Sequence, residues 1–191
     1  MKKSLGPGTL AYPTPVWVIG SYDPDGRPNV MTAAWAGICC GKPPCVTVSL
    51  QKQRYTYRNV IDRQAYTVNI ATEKYASQTD YFGIVSGKNT DKLADCHLTA
   101  VRAEKVDAPY IDEFPLVLEC RVVHTAELGI HTQFVGEILD VKADDSILGP
   151  SGWPDIEKLR PMIFGPQIRT YHGIGNFIGQ AFSIGKAIKK A

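Results

Sequence analysis

No disulfide framework can be read from this chain. Its cysteines are an odd five, at Cys39, Cys40, Cys45, Cys96 and Cys120, without the paired spacing of a small stapled fold. The C-C-x4-C spacing is not that of a zinc knuckle. The thiols therefore read as small buried hydrophobes in a reducing compartment, with a redox role for the vicinal pair Cys39–Cys40 left open. Long apolar runs are also lacking: no stretch reaches the length that spans a bilayer, so no membrane partner is expected. Excess charge of one sign is absent, with 21 Lys+Arg against 19 Asp+Glu and a net charge of +2. No basic stripe marks a nucleic-acid footprint before the last few residues. The opening MKKSLGPG has two lysines but no apolar segment behind them, so no leader and a cytoplasmic location are expected. Internal repeats and low-complexity segments are missing too.

Several catalytic signatures fail on inspection. There is no G-x-S-x-G nucleophile elbow. The glycines of Gly173–Gly179 are one residue too widely spaced for a dinucleotide fingerprint, and too little chain follows to build a βαβ unit. Gly83–Asn89 is one residue short of a P-loop and ends in Asn where a magnesium-binding hydroxyl is needed. It still offers a hydroxyl, a flexible main chain and a cation in succession (Ser86, Gly87, Lys88), which suits a phosphate held without a metal. Cys120, His124 and His131 lack the pattern of a ligand set, so no metal site is expected.

What the chain does have is a β pattern broken by short helical ones. The 44% apolar composition and 191-residue length predict one domain with a substantial core. The Pro-rich arm 1–15 and a tail over 177–191 are read as its appendages. Val16–Gly20 and Asn29–Trp35 read as strands joined by the turn Asp23-Pro24-Asp25-Gly26. Cys45–Leu50, Ala65–Ala71, Leu116–Thr125, Phe134–Val141 and Ile168–His172 are further strand runs. Tyr57, Val60 and Ile61 set a helical period within 51–64, and a second helix is predicted over about 73–85 behind Thr72. A short helix is expected at 153–159. The tail is read as a helix with Phe177, Ala181, Ile184 and Ile188 near one face and Lys186, Lys189 and Lys190 at its C-terminal end. Strands joined mainly by hairpins, with helices inserted, predict a mainly β, antiparallel barrel rather than a parallel doubly wound sheet.

One stretch organises the candidate site. Pro28–Gly41 reads PNVMTAAWAGICCG, small residues around one large aromatic, and lets a flat object approach the main chain closely. Ser49, Arg54, Thr56, Ser86 and Lys88 lie at junctions between elements and form an anion-binding set, with Arg54 able to fork two phosphate oxygens and Lys88 acting as a point charge. Together these residues describe a pocket for a planar ring carrying a phosphate-terminated tail. Trp17 is assigned either to the core or to the pocket wall.

Four patterns occur in order: N-x-M-T-A-A-W (Asn29, Met31, Thr32, Ala33, Ala34, Trp35), S-L-x3-R-Y-T (Ser49, Leu50, Arg54, Tyr55, Thr56), F-G-x2-S-G-K-x2-D-K (Phe82 to Lys92) and G-x-H-x2-F-V-G-E (Gly129 to Glu137). In order and spacing they resemble the flavin reductase-like family and, within it, the flavoredoxins, over roughly Gly8 to Gly173. The resemblance implies an antiparallel Greek-key split β-barrel that binds FMN, as a homodimer with the flavin near the subunit interface. It implies that Thr32, Ala33, Ala34 and Trp35 line the isoalloxazine, with Asn29 and Met31 also among the cofactor-binding residues. Ser49, Leu50, Arg54, Tyr55 and Thr56 would hold the ribityl-phosphate chain, with Phe82, Gly83, Ser86, Gly87 and Lys88 closing the phosphate side. It places His131 on the nicotinamide side and adds Tyr171 from the last strand. Three functions follow: an oxidoreductase taking hydride from NADH or NADPH and passing electrons to a small-molecule acceptor; an electron-transfer protein with tightly bound FMN and a protein partner; or a non-redox flavin-binding module.

Overall fold

The computed structural model describes residues 1–190, with the side chains at 187, 189 and 190 outside that description. The chain runs β1 (Thr14–Pro15), β2 (Trp17–Tyr22), β3 (Pro28–Ala33), β4 (Ala36–Gly41), β5 (Pro44–Gln51), α1 (Tyr55–Arg63), β6 (Ala65–Ile70), α2 (Ala76–Ile84) and α3 (Lys92–Asp95). It continues through β7 (Ala100–Arg102), β8 (Pro109–Ile111), β9 (Leu116–Leu128), β10 (His131–Ala143), α4 (Ile156–Leu159), β11 (Ile163–Gly165) and β12 (Thr170–His172).

Seven strands form one antiparallel sheet in the order β3-β2-β6-β9-β10-β5-β4. Its two edge strands, β3 and β4, follow each other in the chain with only Ala34 and Trp35 between them. A flat sheet cannot place its opposite edges that close. The sheet therefore wraps into the expected split β-barrel, and the Ala34–Trp35 link lies at the seam. The Ser49 amide of β5 donates to the Trp35 carbonyl at 2.8 Å and helps hold that seam.

Strand alternation explains the two cores. On β2, Ile19 points into the barrel with Val46, Val48, Leu50, Tyr66, Val68 and Phe134. Val16 and Val18 point outward with Val30, Phe82, Leu93, Ile111 and Phe114, beneath α2 and α3. Successive residues of one strand thus bury opposite faces. Trp17 packs against the barrel core. The predicted turn is present: Gly26 takes φ +78°, and buried Asp23 accepts from the Asp25 and Arg27 amides at 2.9 and 2.8 Å.

Several expectations are corrected. Trp35 is not part of a strand, because β3 ends at Ala33. Ala36–Gly41 is a strand that the run of small residues concealed. The first helix starts at Tyr55, since Gln51 still pairs with His131 in the sheet. The second is a 3-10 turn over Glu73–Tyr75 leading into α2, and Thr72 makes no side-chain cap. His131 opens β10 rather than lying in a connection. The arm is not wholly irregular, because β1 pairs with β11. The last strand is shortened by Arg169 at φ +54°. Among the described residues the expected amphipathic tail helix is absent: a 3-10 segment, Ile184–Lys190, forms instead, and Phe177, Ile184 and Ile188 are exposed. Gly179 and Gly185 interrupt the pattern and disfavour a continuous helix. The placements expected for Lys189 and Lys190 lie outside the described side chains.

Candidate functional site

Three adjoining hollows run along the seam. The first is a cleft of about 390 Å³ bounded by Met31, Thr32, Ala33, Ala34, Trp35, Ser49, Leu50, Arg54, Gly83, His131 and Tyr171. These eleven are among the residues expected from the sequence, whereas Val16, Gln51, Ile84 and Phe164, which also line the cleft, are not. The second, of about 320 Å³, shares Met31, Arg54, Gly83 and Ile84 with the first and adds Asn29, Tyr55, Thr56, Phe82, Ser86 and Gly87. Leu50 and Phe82 are core side chains and form floor rather than wall. Lys88 lies apart, in a third hollow beside Asp23, Arg27 and Asp91.

Near the seam the first cleft is lined by small and neutral residues, among them Thr32, Ala33, Ala34 and Ser49. The N–H groups of Ala34 and Trp35 have no hydrogen-bond acceptor among the described residues, so the link between β3 and β4 leaves two unpaired main-chain donors at residues that line the cleft. Trp35 is 45% exposed. Its ring meets His131 at 5.4 Å between centroids and a 59° tilt, one of the offset geometries aromatic pairs prefer. At the far side the Tyr171 hydroxyl donates to Asp80 Oδ1 at 2.9 Å. Burial and this carboxylate push the phenol up to about 12, so it stays a proton donor at neutral pH. Asp80 and Arg169 also line this cleft and were not selected from the sequence. Nothing local marks them, since each reaches the cleft only through tertiary packing.

The second cleft carries the charge. Its cations are Arg54 and Lys92, and none of its lining residues is acidic. Arg54 is the N-cap residue of α1, whose first turn has no side-chain cap and no acidic residue. The free amides of that turn and the positive end of the helix dipole thus face a cationic hollow. Lys92 is positioned from the other side. The Asp91 carboxylate caps α3 by accepting from the Leu93 and Ala94 amides, which turns the next side chain back toward β3. Lys92 Nζ donates to the Val30 and Phe82 carbonyls at 2.8 and 2.9 Å. That leaves one of its three donors for a ligand. Burial, then the neighbouring Arg54 charge, push Lys92 down to about 8. Its motif position was visible in the sequence, but its burial was not.

The wall between the second and third hollows is a buried polar network. Asn29 Nδ2 donates to Thr56 Oγ1 at 2.8 Å, and Asn59 Nδ2 donates to Ser21 Oγ at 3.2 Å. Asn29 Oδ1 is buried without a partner and lies against Gly87, where an added methyl would overlap it. Thr56 Oγ1 is therefore positioned by the bond it accepts from Asn29, and its O–H remains available to donate to a ligand. An unpaired buried acceptor costs free energy, and here it sits at the edge of a hollow able to receive a donor.

This barrel with a seam-side cleft defines a class, and comparison with known proteins narrows it. Residues 9–165 match the flavin reductase like domain; the chain belongs to that family. Flavoredoxin of Desulfovibrio vulgaris (Miyazaki F) is 54% identical, with a TM-score of 0.93 covering 97% of this chain and all of that one. Flavoredoxin from Methanosarcina acetivorans is 30% identical, with a TM-score of 0.91 over 98% of this chain and 99% of that one. The reductase component of a 4-nitrophenol 4-monooxygenase/4-nitrocatechol 2-monooxygenase from Rhodococcus opacus is 32% identical over 62% of this chain, which spans 60% of that protein's length. No described helix is long and apolar enough to cross a membrane.

Proposed function

We propose that this chain is an FMN-binding oxidoreductase in which the first cleft holds the isoalloxazine and the second holds the ribityl phosphate. The observation that carries this reading is the junction of a cleft lined by small residues and two unpaired main-chain donors with a cationic one free of carboxylates. A bound flavin supplies the hydride and single-electron chemistry. Arg54, Lys92 and the first turn of α1 hold the phosphate. Ala34 and Trp35 place main-chain donors at the ring edge, and Trp35 and His131 wall the ring. Tyr171, fixed by Asp80, bounds the opposite side.

The electron donor is NADH or NADPH, and His131 orients the nicotinamide beside Trp35. A second reading, a tightly bound FMN reduced by a protein partner, is favoured by the likeness to two flavoredoxins. Anaerobic addition of NAD(P)H to the loaded protein separates the two. Prompt bleaching of the flavin band supports the reductase, and a band that persists supports the protein-partner reading. The phosphate assignment is tested by Arg54→Ala, which should weaken FMN binding and leave riboflavin, which has no phosphate, nearly unaffected. Equal loss of both ligands would move Arg54 out of the phosphate site. We further infer a homodimer whose second copy covers the cleft mouth.

A further inference from the structure

Away from the cleft, the far end of the β4–β5 hairpin gathers three free thiols. Gly41 faces Pro44, Cys40 faces Cys45 and Ile38 faces Val46, which leaves Cys39 without a rung. This is a β-bulge, with Cys39 and Cys40 together opposing Cys45. Directly opposed residues of an antiparallel pair have Cα atoms about 4.5–5.5 Å apart. That falls within the span of roughly 4.4–6.8 Å that a disulfide bridges. The bulge thiols are exposed and Cys45 is buried. Cys40 Sγ donates to the Lys42 carbonyl at 3.4 Å, which holds it at the turn. Burial raises the Cys45 thiol most, and the charges of Cys39, Cys40 and Glu137 (its neighbour on β10) raise it further, so all of these groups share one neighbourhood. The accessible thiols are suited to attack and the buried one to resolve.

We propose that this hairpin is a reversible thiol–disulfide site in which Cys45 bonds to a bulge thiol, Cys39 or Cys40, by exchange with a low-molecular-weight disulfide. The bulge thiolate attacks one sulfur of the small disulfide, forms a mixed disulfide and releases one small thiol. The deprotonated sulfur of Cys45 then attacks the bulge sulfur and displaces the second small thiol. The protein loses two electrons and two protons, and the small disulfide is reduced to two thiols. Because β4 begins directly after Trp35 and β5 carries Ser49, the new bond would staple the hairpin that frames the seam. This site rests on the hairpin alone and stands apart from the flavin reading.

The test incubates the full chain with excess oxidised glutathione, quenches in acid, alkylates the remaining thiols and maps the peptides by mass. The expected result is that two of the five thiols become protected, with Cys45 linked to Cys39 or Cys40, and that a thiol reductant reverses it. Cys45→Ser should abolish the link, whereas Cys39→Ser or Cys40→Ser alone should retain it. Five alkylatable thiols, a stable glutathione adduct without the internal link, a Cys39–Cys40 bond or a link between chains would each overturn the proposal. Circular dichroism of Cys45→Ser, unchanged from the parent, excludes misfolding as the cause of a missing link.

Discussion

Lys92 shows how burial changes the meaning of a residue. In the sequence it is one lysine among many, and Lys88, four positions earlier, reads as the better phosphate ligand because it follows Ser86 and Gly87. Only packing distinguishes them: Lys92 is 5% exposed beside Arg54, while Lys88 faces the neighbouring hollow. Lys92→Met should weaken FMN binding by about 1.5–3 kcal/mol, the worth of a charge-assisted hydrogen bond, and spare riboflavin. Parallel fluorescence titrations of the two flavins read this directly. The pH dependence follows from the lowered pKa. Below about pH 8 the folded protein must carry the Lys92 charge next to Arg54, which costs stability. That cost fades as pH rises toward the ordinary lysine value, because the unfolded chain then no longer binds the extra proton. An anion in the second cleft offsets the cost while the charge is present. Inorganic phosphate should therefore raise the Tm of flavin-free protein more at about pH 7 than at about pH 9.5. An equal rise at both would remove Lys92 from the anion site. His131→Ala is expected to slow reduction by NAD(P)H in stopped flow while FMN stays bound. Unchanged reduction would leave His131 as a packing partner of Trp35 alone.

At the scale of elements, legibility followed how much of each element's cause is local. β2, its Asp23–Gly26 turn and β5 carry alternating apolar residues and turn chemistry in their own sequence, and they were readable. Helix α1 was readable from Tyr57, Val60 and Ile61, and strand pairing with β10 holds Gln51, the first residue of that window, in β5. β4 was not readable: among Ala36–Gly41 only Ile38 is a good strand former, and the strand exists because β5 provides a partner. The candidate site was legible wherever a motif residue lies on β3 or β5. It was opaque for Asp80 and Arg169, which sequence-distant elements bring to the cleft. The same dependence on neighbours makes a paired prediction for glycines. A methyl at Gly20 on β2 would overlap the Pro109 carbonyl and Thr67 Oγ1, whereas one at Gly37 on β4 meets nothing within 4 Å. Gly20→Ala should cost about 1–3 kcal/mol through overpacking, and Gly37→Ala should stay within about 0.5 kcal/mol of the parent. Urea denaturation midpoints check both. Equal midpoints would mean that β2 and β8 can separate without penalty.

At the scale of the whole molecule, the cleft mouth is where a single chain looks incomplete. Trp35, Ile84 and Ile130 are 45%, 73% and 72% exposed. Trp35 and Ile84 line the cleft, and Ile130 precedes His131, whose ring contacts Trp35. Exposed apolar side chains at and beside a cleft are costly in water and fit a partner surface. If a second copy covers them, subunit association and flavin binding are linked, and each must strengthen the other. Two outcomes follow. Diluting the wild-type protein through its dimer dissociation range should release FMN, as read by recovery of free-flavin fluorescence. Ile130→Glu, which touches neither hollow lined by Arg54, should sediment as a monomer and bind FMN more weakly at every concentration. A monomeric Ile130→Glu protein with undiminished flavin affinity would uncouple the two events and place the flavin wholly within one chain. A wild-type protein that is monomeric while loaded would remove the second copy altogether and leave Trp35 and Ile84 to meet a different partner in electron transfer.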